Sequence, residues 1–254
     1  MIFLCGFYAN FVVLENNIDK TNPFLTTANF ISHHSLFAIG IVSFLLMITC
    51  DLILVWSLFF LTNRISLKLS YVASSLRLLH AFVFIIALYQ LFRLYFLTKA
   101  GVANSNNLQL QVAHLLSNFD TIWTIGLLFF GFHLIVLAYL TFKSTIVPKL
   151  LSVLIMIASL GYLIDSTAKL MLANYENYQP LFETGVVLTG VIGELSFTIW
   201  LLYKGFKKTA SIEKPFHLNW NELQYRLTKH FKQLSFRWLL DCCLQINFSK
   251  KTDF

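Results

Sequence analysis

The sequence predicts an all-α protein: a polytopic membrane helical bundle of six transmembrane helices, the first truncated, followed by a C-terminal amphipathic interfacial helix. Three observations lead there. Of 254 residues, 57% are hydrophobic and only 12% charged, about half the charge of an ordinary soluble domain. Several apolar runs reach about twenty residues, enough for a helix to cross a ~30 Å hydrocarbon core with every backbone group bonded internally. Lys and Arg gather between and after those runs, the asymmetry that orients membrane helices.

The apolar segments fall at 1-14, 36-62, 70-97, 119-142, 148-172 and 182-204. At 1.5 Å per residue each of the last five is long enough to span. The first, MIFLCGFYANFVVL, reaches only about 21 Å on that rise. It lacks the basic lead and small-residue cleavage site of a signal peptide, and reads as a shortened first spanning helix. Residues 1-205 form the transmembrane domain and 206-254 a basic cytoplasmic tail.

Orientation follows from the loop cations. Arg64 and Lys68 lie between the second and third segments, Lys143 and Lys149 between the fourth and fifth, and Lys204, Lys207 and Lys208 after the sixth. The alternate connections hold little beyond Lys20 and Lys99 and are rich in Asn, as in AGVANSNNLQ and NYENYQP. Both termini are therefore expected on the cytoplasmic side of the cell (inner) membrane. In the tail, Trp220, Leu223, Leu227, Phe231, Leu234 and Trp238 share one helical face, with Arg226, Lys229, Lys232 and Arg237 on others. Such a helix lies along a lipid surface or packs on a partner. Net charge of +7 is accounted for by topology and anionic lipid, so membrane lipids rather than nucleic acid are the expected partners. Cys5, Cys50, Cys242 and Cys243 have neither disulfide-framework nor zinc spacing.

Charged groups inside a spanning helix cost about 2.5–3.5 kcal/mol each on insertion scales, so each needs a reason. Asp51 falls in the second segment, Arg77 and His80 in the third, His133 in the fourth, and Glu194 in the sixth. Counted from the cytoplasmic ends, Arg77 lies about 10 Å deep and the other four about 14–16 Å. Asp165 and Lys169 of the fifth segment lie deeper, Asp165 at about 25 Å, one turn apart and able to pair. Two readings of the five-residue cluster stand open. Arg77 pairs with Asp51 or Glu194 while the histidines tie helices together; or the cluster lines a cytoplasm-facing cavity for a small polar or anionic amphiphilic molecule, with Arg77 as the anion clamp. A membrane-embedded hydrolase or transferase is a third.

Nothing in the spacing marks a catalytic residue, a cofactor or a metal. There is no HExxH, GxSxG, P-loop, GxGxxG or CxxCH, and the facing Glu and Glu-x-x-His sets of di-iron bundles are lacking. Ser166 beside Asp165 is accounted for by a hydroxyl bonding back along its helix. Gly126, Gly131, Gly161, Gly190 and Gly193 allow close helix approach, and Pro148 suits a helix start. Trp123, Tyr139, Trp200 and Tyr203 suit interfacial belts, and Asp120 suits the N-terminus of the fourth helix.

The run GLLFFGFHLIVLAYL (126-140), then VPKLLSVLIMIASLGYLIDS (147-166) and GELSFTIWLL (193-202), resembles the bacterial multi-pass membrane family catalogued as domain of unknown function 4386. The matching residues include Gly126, Phe129, Phe130, Gly131, His133, Tyr139, Lys143, Ser144, Pro148, Gly161, Tyr162, Asp165 and Ser166. Asp51 and Leu76-Arg77-Leu78 look like the family's helix-two aspartate and helix-three motif, so the resemblance covers about 36-205. Ala138, Ser152 and Ser159 stand where the family usually has Gly, its first helix carries a longer Arg-containing lead, and the tail lies outside its pattern. The resemblance implies the helical membrane fold and no particular activity.

Overall fold

An uninterrupted apolar sequence with no partner strands can satisfy its backbone only along its own axis, and every element among the described residues is helical. The computed structural model describes residues 2–19, 21–99 and 106–210, with side chains as far as 205. The chain divides after Trp200 into two units, and the packing and the site described below lie in Met1–Trp200.

The N-terminal stretch is α1 (Ile2–Phe7), a π-helical run Tyr8–Leu14 and α2 (Glu15–Asn17). A turn leads to α3 (Pro23–Ser32), which Asn22 caps by accepting from the Leu25 N–H at 3.2 Å, with Pro23 in the first turn. The long helices follow: α4 (His34–Thr62), α5 (Leu67–Lys99), α6 (Asn106–Lys143), α7 (Lys149–Met171) and α8 (Tyr175–Ala210). Five stretches are long and apolar enough to cross a membrane: α4, α5, α6, α7 and Tyr175–Gly205 of α8. Their outer faces agree, since Ile53, Trp56, Phe60, Phe96, Ile164 and Ile199 are exposed, a surface suited to lipid tails and costly in water. This is a membrane protein.

The first segment behaves differently from the other five. It runs antiparallel beside the N-terminal half of α4. A Cβ on Gly6 would come 3.0 Å from the Met47 sulfur, and one on Gly40 would come 2.7 Å from Val13. At its far end the His33 Nδ1–H donates to Asn17 Oδ1 at 3.0 Å. The described part thus extends from the level of Met47 to the start of α4, alongside half a span.

Two connections expected as loops are partly helical. Helix α6 begins at Asn106, well before 119, and α8 begins at Tyr175 with Pro180 inside it. Polar Asn and Gln continue a helix beyond the hydrocarbon because water satisfies their side chains. Pro180 is the sixth residue of α8, so its missing N–H deprives the Glu176 carbonyl of its i→i−4 donor and weakens the second turn. Asp120 is therefore inside α6 and not at its N-terminus. Trp123 likewise lies well inside, stacked on Phe84 with ring centroids 3.9 Å apart. The amphipathic stripe 220–238 lies outside the described residues.

Sequence neighbours pack against each other along α4, α5, α6 and α7. Their main core is aromatic and aliphatic, with Phe30, Phe37, Phe44, Phe84, Leu91 and Leu94 buried between the first segment and α3–α6. Small residues set the α6–α7–α8 spacing. A Cβ on Gly131 would meet Leu163 at 2.8 Å, and one on Gly193 would meet the Leu154 backbone carbonyl oxygen at 2.8 Å.

Candidate functional site

Three helices aim their ionisable side chains at one level of the bundle. Asp51 on α4, Arg77 and His80 on α5 and His133 on α6 are all buried. Arg77 Nη2 donates to Asp51 Oδ1 at 2.5 Å, and Nη1 donates to His133 Nε2 at 3.0 Å. His133 Nδ1 lies 2.8 Å from the Ala73 carbonyl oxygen, which can only accept. Nδ1 therefore carries the proton and Nε2 is the acceptor for Arg77. An ionisable ring sits in the middle of an oily helix because it joins α6 to α5 twice, once through backbone and once through the guanidinium. The guanidinium face packs on Phe130, 5.4 Å from the ring centroid.

His80 is held by the same device. Its Nδ1–H donates to the Gly126 carbonyl at 2.9 Å, and its ring packs on Phe84 and Phe130. Its Nε2 then faces Asp51 Oδ2 across 3.8 Å, beyond hydrogen-bond length. Asp51 Oδ2, Arg77 Nε and Glu194 Oε1 are buried atoms without a hydrogen-bond partner. Glu194 comes in from α8, beside the Tyr162 hydroxyl and within electrostatic reach of Arg77 and Asp51.

Asp51, Arg77, His80 and Glu194 form the floor of a half-enclosed cavity of about 330 Å³, and His133 stands behind them, outside its lining. Its walls are apolar and aromatic, including Phe7 and Phe11 of the first segment, Phe84, Trp123, Phe130 and Val187. At its other end stand Glu15, Asp120, Asp165, Lys169 and Glu183. That end is the open one: the Asp120 side chain is 53% exposed and Lys169 24%, against 7% for both Arg77 and Asp51. The mouth lies toward the α7–α8 turn, opposite to the α4–α5 and α6–α7 turns where the expected cytoplasmic opening would be. Below the mouth, the contacts of Arg77 with Asp51 and His133 tie α4, α5 and α6 together.

Arg77, the expected anion clamp, already serves two protein acceptors: Nη2 donates to Asp51 and Nη1 to His133, which engages two of its five N–H groups and leaves Nε without a partner. Lys169 takes Asp120 as its hydrogen-bonded partner at 2.6 Å, not its helix neighbour Asp165. Asp165 instead accepts from the Tyr175 hydroxyl at 2.6 Å. Ser166 is buried with an unpartnered Oγ, so the back-bond expected for it is not formed. Among the described residues no group of three His, Cys, Asp or Glu side chains converges at metal distance.

Sequence spacing missed Asp120, Glu183, Glu15 and Trp123 as cavity residues. The signal for Asp120 was an acid inside a helix facing a lysine on the next one; the signal for Glu183 was an acid close to a helix start.

A relative from Archaeoglobus fulgidus, described as an uncharacterized protein, is 32% identical over 176 residues, covering 69% of this chain and 90% of its own length. No solved structure matches. The model of the family described as Domain of unknown function (DUF4386) matches residues 1–205, which takes in every helix that lines the cavity, and the chain belongs to that family.

Proposed function

We propose that the protein binds a small polar or amphiphilic molecule in the cavity between its first segment and α4, α5, α6, α7 and α8. One observation carries this reading. The Arg77–Asp51 ion pair leaves buried polar atoms over, Asp51 Oδ2 and Arg77 Nε among them, and the residues that carry them line a space of about 330 Å³. Buried polar groups normally have partners. A core built only to join helices would have closed on them, whereas a binding site leaves them for a guest. The Arg77–Asp51–His133 contacts still serve the packing; they form the frame of the site.

The loop cations support an orientation in which the α4–α5 turn (Arg64, Lys68) and the α6–α7 turn (Lys143, Lys149) face the cytoplasm in the cell (inner) membrane. Both termini then lie on that side, with the first segment as a sixth, partial crossing, and the mouth faces outward.

Mass spectrometry of molecules retained by the purified protein tests the binding reading. Wild type carries a species absent from Val187→Trp, whose indole fills the cavity from an exposed wall position, and reduced in Arg77→Ala. Identical retained molecules at identical stoichiometry in all three proteins would remove the reading.

A further inference from the structure

We infer that the ligand is a cationic amphiphile, a protonated amine carrying a hydrophobic body. This rests on the binding reading above and names its chemical class. Leaving Glu15 aside, five carboxylates line the cavity, Asp51, Asp120, Asp165, Glu183 and Glu194, against two cations, Arg77 and Lys169. Both cations are already engaged by carboxylates, Arg77 with Asp51 and Lys169 with Asp120. The hydrogen bonds that reach Asp165 and Glu183 come from neutral donors, the Tyr175 hydroxyl and the Gln179 amide. By residue type the lining is therefore acidic, with more carboxyl groups than cations.

The second observation is independent of that charge. Asp51 lines the cavity and is 5% exposed, and its Oδ2 has no hydrogen-bond partner. A buried carboxylate oxygen without a donor is costly, and an N–H donor arriving from the cavity removes that cost. Glu194 Oε1 presents a second unpartnered oxygen from the facing helix. An ammonium has three donors and no acceptor, so it answers both oxygens, whereas a carboxylate or phosphate would be repelled by them. The walls suit the remainder of such a molecule. Phe84 stacked on Trp123, together with Phe130, offers ring faces that attract a cation, and the valines of α8 take an alkyl or aryl body. The mouth residues Asp165 and Glu183 draw the cation in, and Glu194 and Asp51 receive it.

The test uses the full chain in nanodiscs of zwitterionic lipid, titrated with octylammonium, octanoate and octanol, read by the fluorescence of Trp123. Trp123→Phe must abolish the ligand-dependent part of the signal. Octylammonium is expected to saturate and to bind roughly tenfold or more tighter than the other two, the discrimination of a hydrogen bond to a charged group. Glu194→Gln and Asp165→Asn preserve shape and should each bring octylammonium toward the affinity of octanol. If octanoate or octanol binds as tightly as octylammonium, the cationic class is overturned while the cavity reading stands. If both carboxylate variants bind octylammonium like wild type, the class is likewise overturned. If no probe saturates, the cavity reading falls with it.

Discussion

Arg77 has the most consequential surroundings of any side chain in the bundle. Its Asp51 and His133 partners come from two other helices, so truncating any one strands the rest in a low-dielectric space. Breaking a buried ion pair from one side costs about 3–5 kcal/mol, while replacing both partners by apolar groups is far milder. Arg77→Ala and Asp51→Ala should each lower the Tm in detergent sharply, and Arg77→Met combined with Asp51→Leu should recover most of that loss. Thermal unfolding of the four proteins checks this; additive losses in the double variant would show that the two charges do not act as a pair. His133→Leu should cost about 1–3 kcal/mol, because one Arg77 N–H loses its acceptor. At this scale much was legible. An acid, an arginine and a histidine at one depth announced a contact, and the three do touch. Which acid would pair with Arg77 was not legible, because the choice between Asp51 and Glu194 depends on how each helix is rotated about its axis, and depth says nothing of rotation.

Helices α7 and α8 approach at Gly193, whose hydrogen faces the Leu154 carbonyl oxygen. A backbone oxygen cannot turn aside as a side chain does. Gly193→Ala should therefore push the helices apart at a cost of about 1–3 kcal/mol, lowering the Tm. Gly185→Ala on the same helix meets nothing within 4 Å and should be neutral or slightly stabilising. Equal effects from the two would contradict the close approach. The turn between α2 and α3 makes a prediction of another kind. The Asp19 carboxylate accepts from the Thr21 hydroxyl and from the Thr21 and Asn22 N–H groups, and these bonds hold its pKa below the usual carboxylate value, the Thr21 hydroxyl foremost. A lowered folded pKa means the support is complete above the unfolded value of about 3.9 and fades as pH falls through the folded one. Hydrogen exchange in residues 15–30, corrected for intrinsic rates, should rise between about pH 6 and pH 3 in wild type. Asp19→Asn should show no such rise, since an amide does not titrate there; the same rise in the variant would assign it to another group. Lengths of helices were less legible than their existence. Apolar periodicity ends where the hydrocarbon ends, but Asn106 through Asn118 continue the α6 backbone pattern regardless.

Within Met1–Trp200 the helices enclose a cavity that is buried at its polar base and exposed at its other end. No local pattern announces this, because a cavity is the space left between helices far apart in sequence, and a gap has no sequence of its own. The charges around it did carry a trace, since Asp120, Asp165 and Glu183 sit on the same side of the polar level in three successive helices. Access can be tested on a background in which the native cysteines are replaced by serine. In intact cells a membrane-impermeant thiol reagent should label Asn174→Cys, in the α7–α8 turn beside the mouth, and should spare Thr145→Cys in the α6–α7 turn until the membrane is permeabilised. The reverse pattern would invert the orientation and turn the mouth inward.

The two ion pairs along this cavity live in different dielectric surroundings. Counterions reach Lys169 and Asp120, whose side chains are 24% and 53% exposed, and screen them within a Debye length of about 8 Å at physiological ionic strength. Counterions do not reach Arg77 and Asp51. Raising salt should thus loosen the entrance while the base keeps its shape, so that concentrated electrolyte alters how fast a guest arrives more than how firmly it is kept.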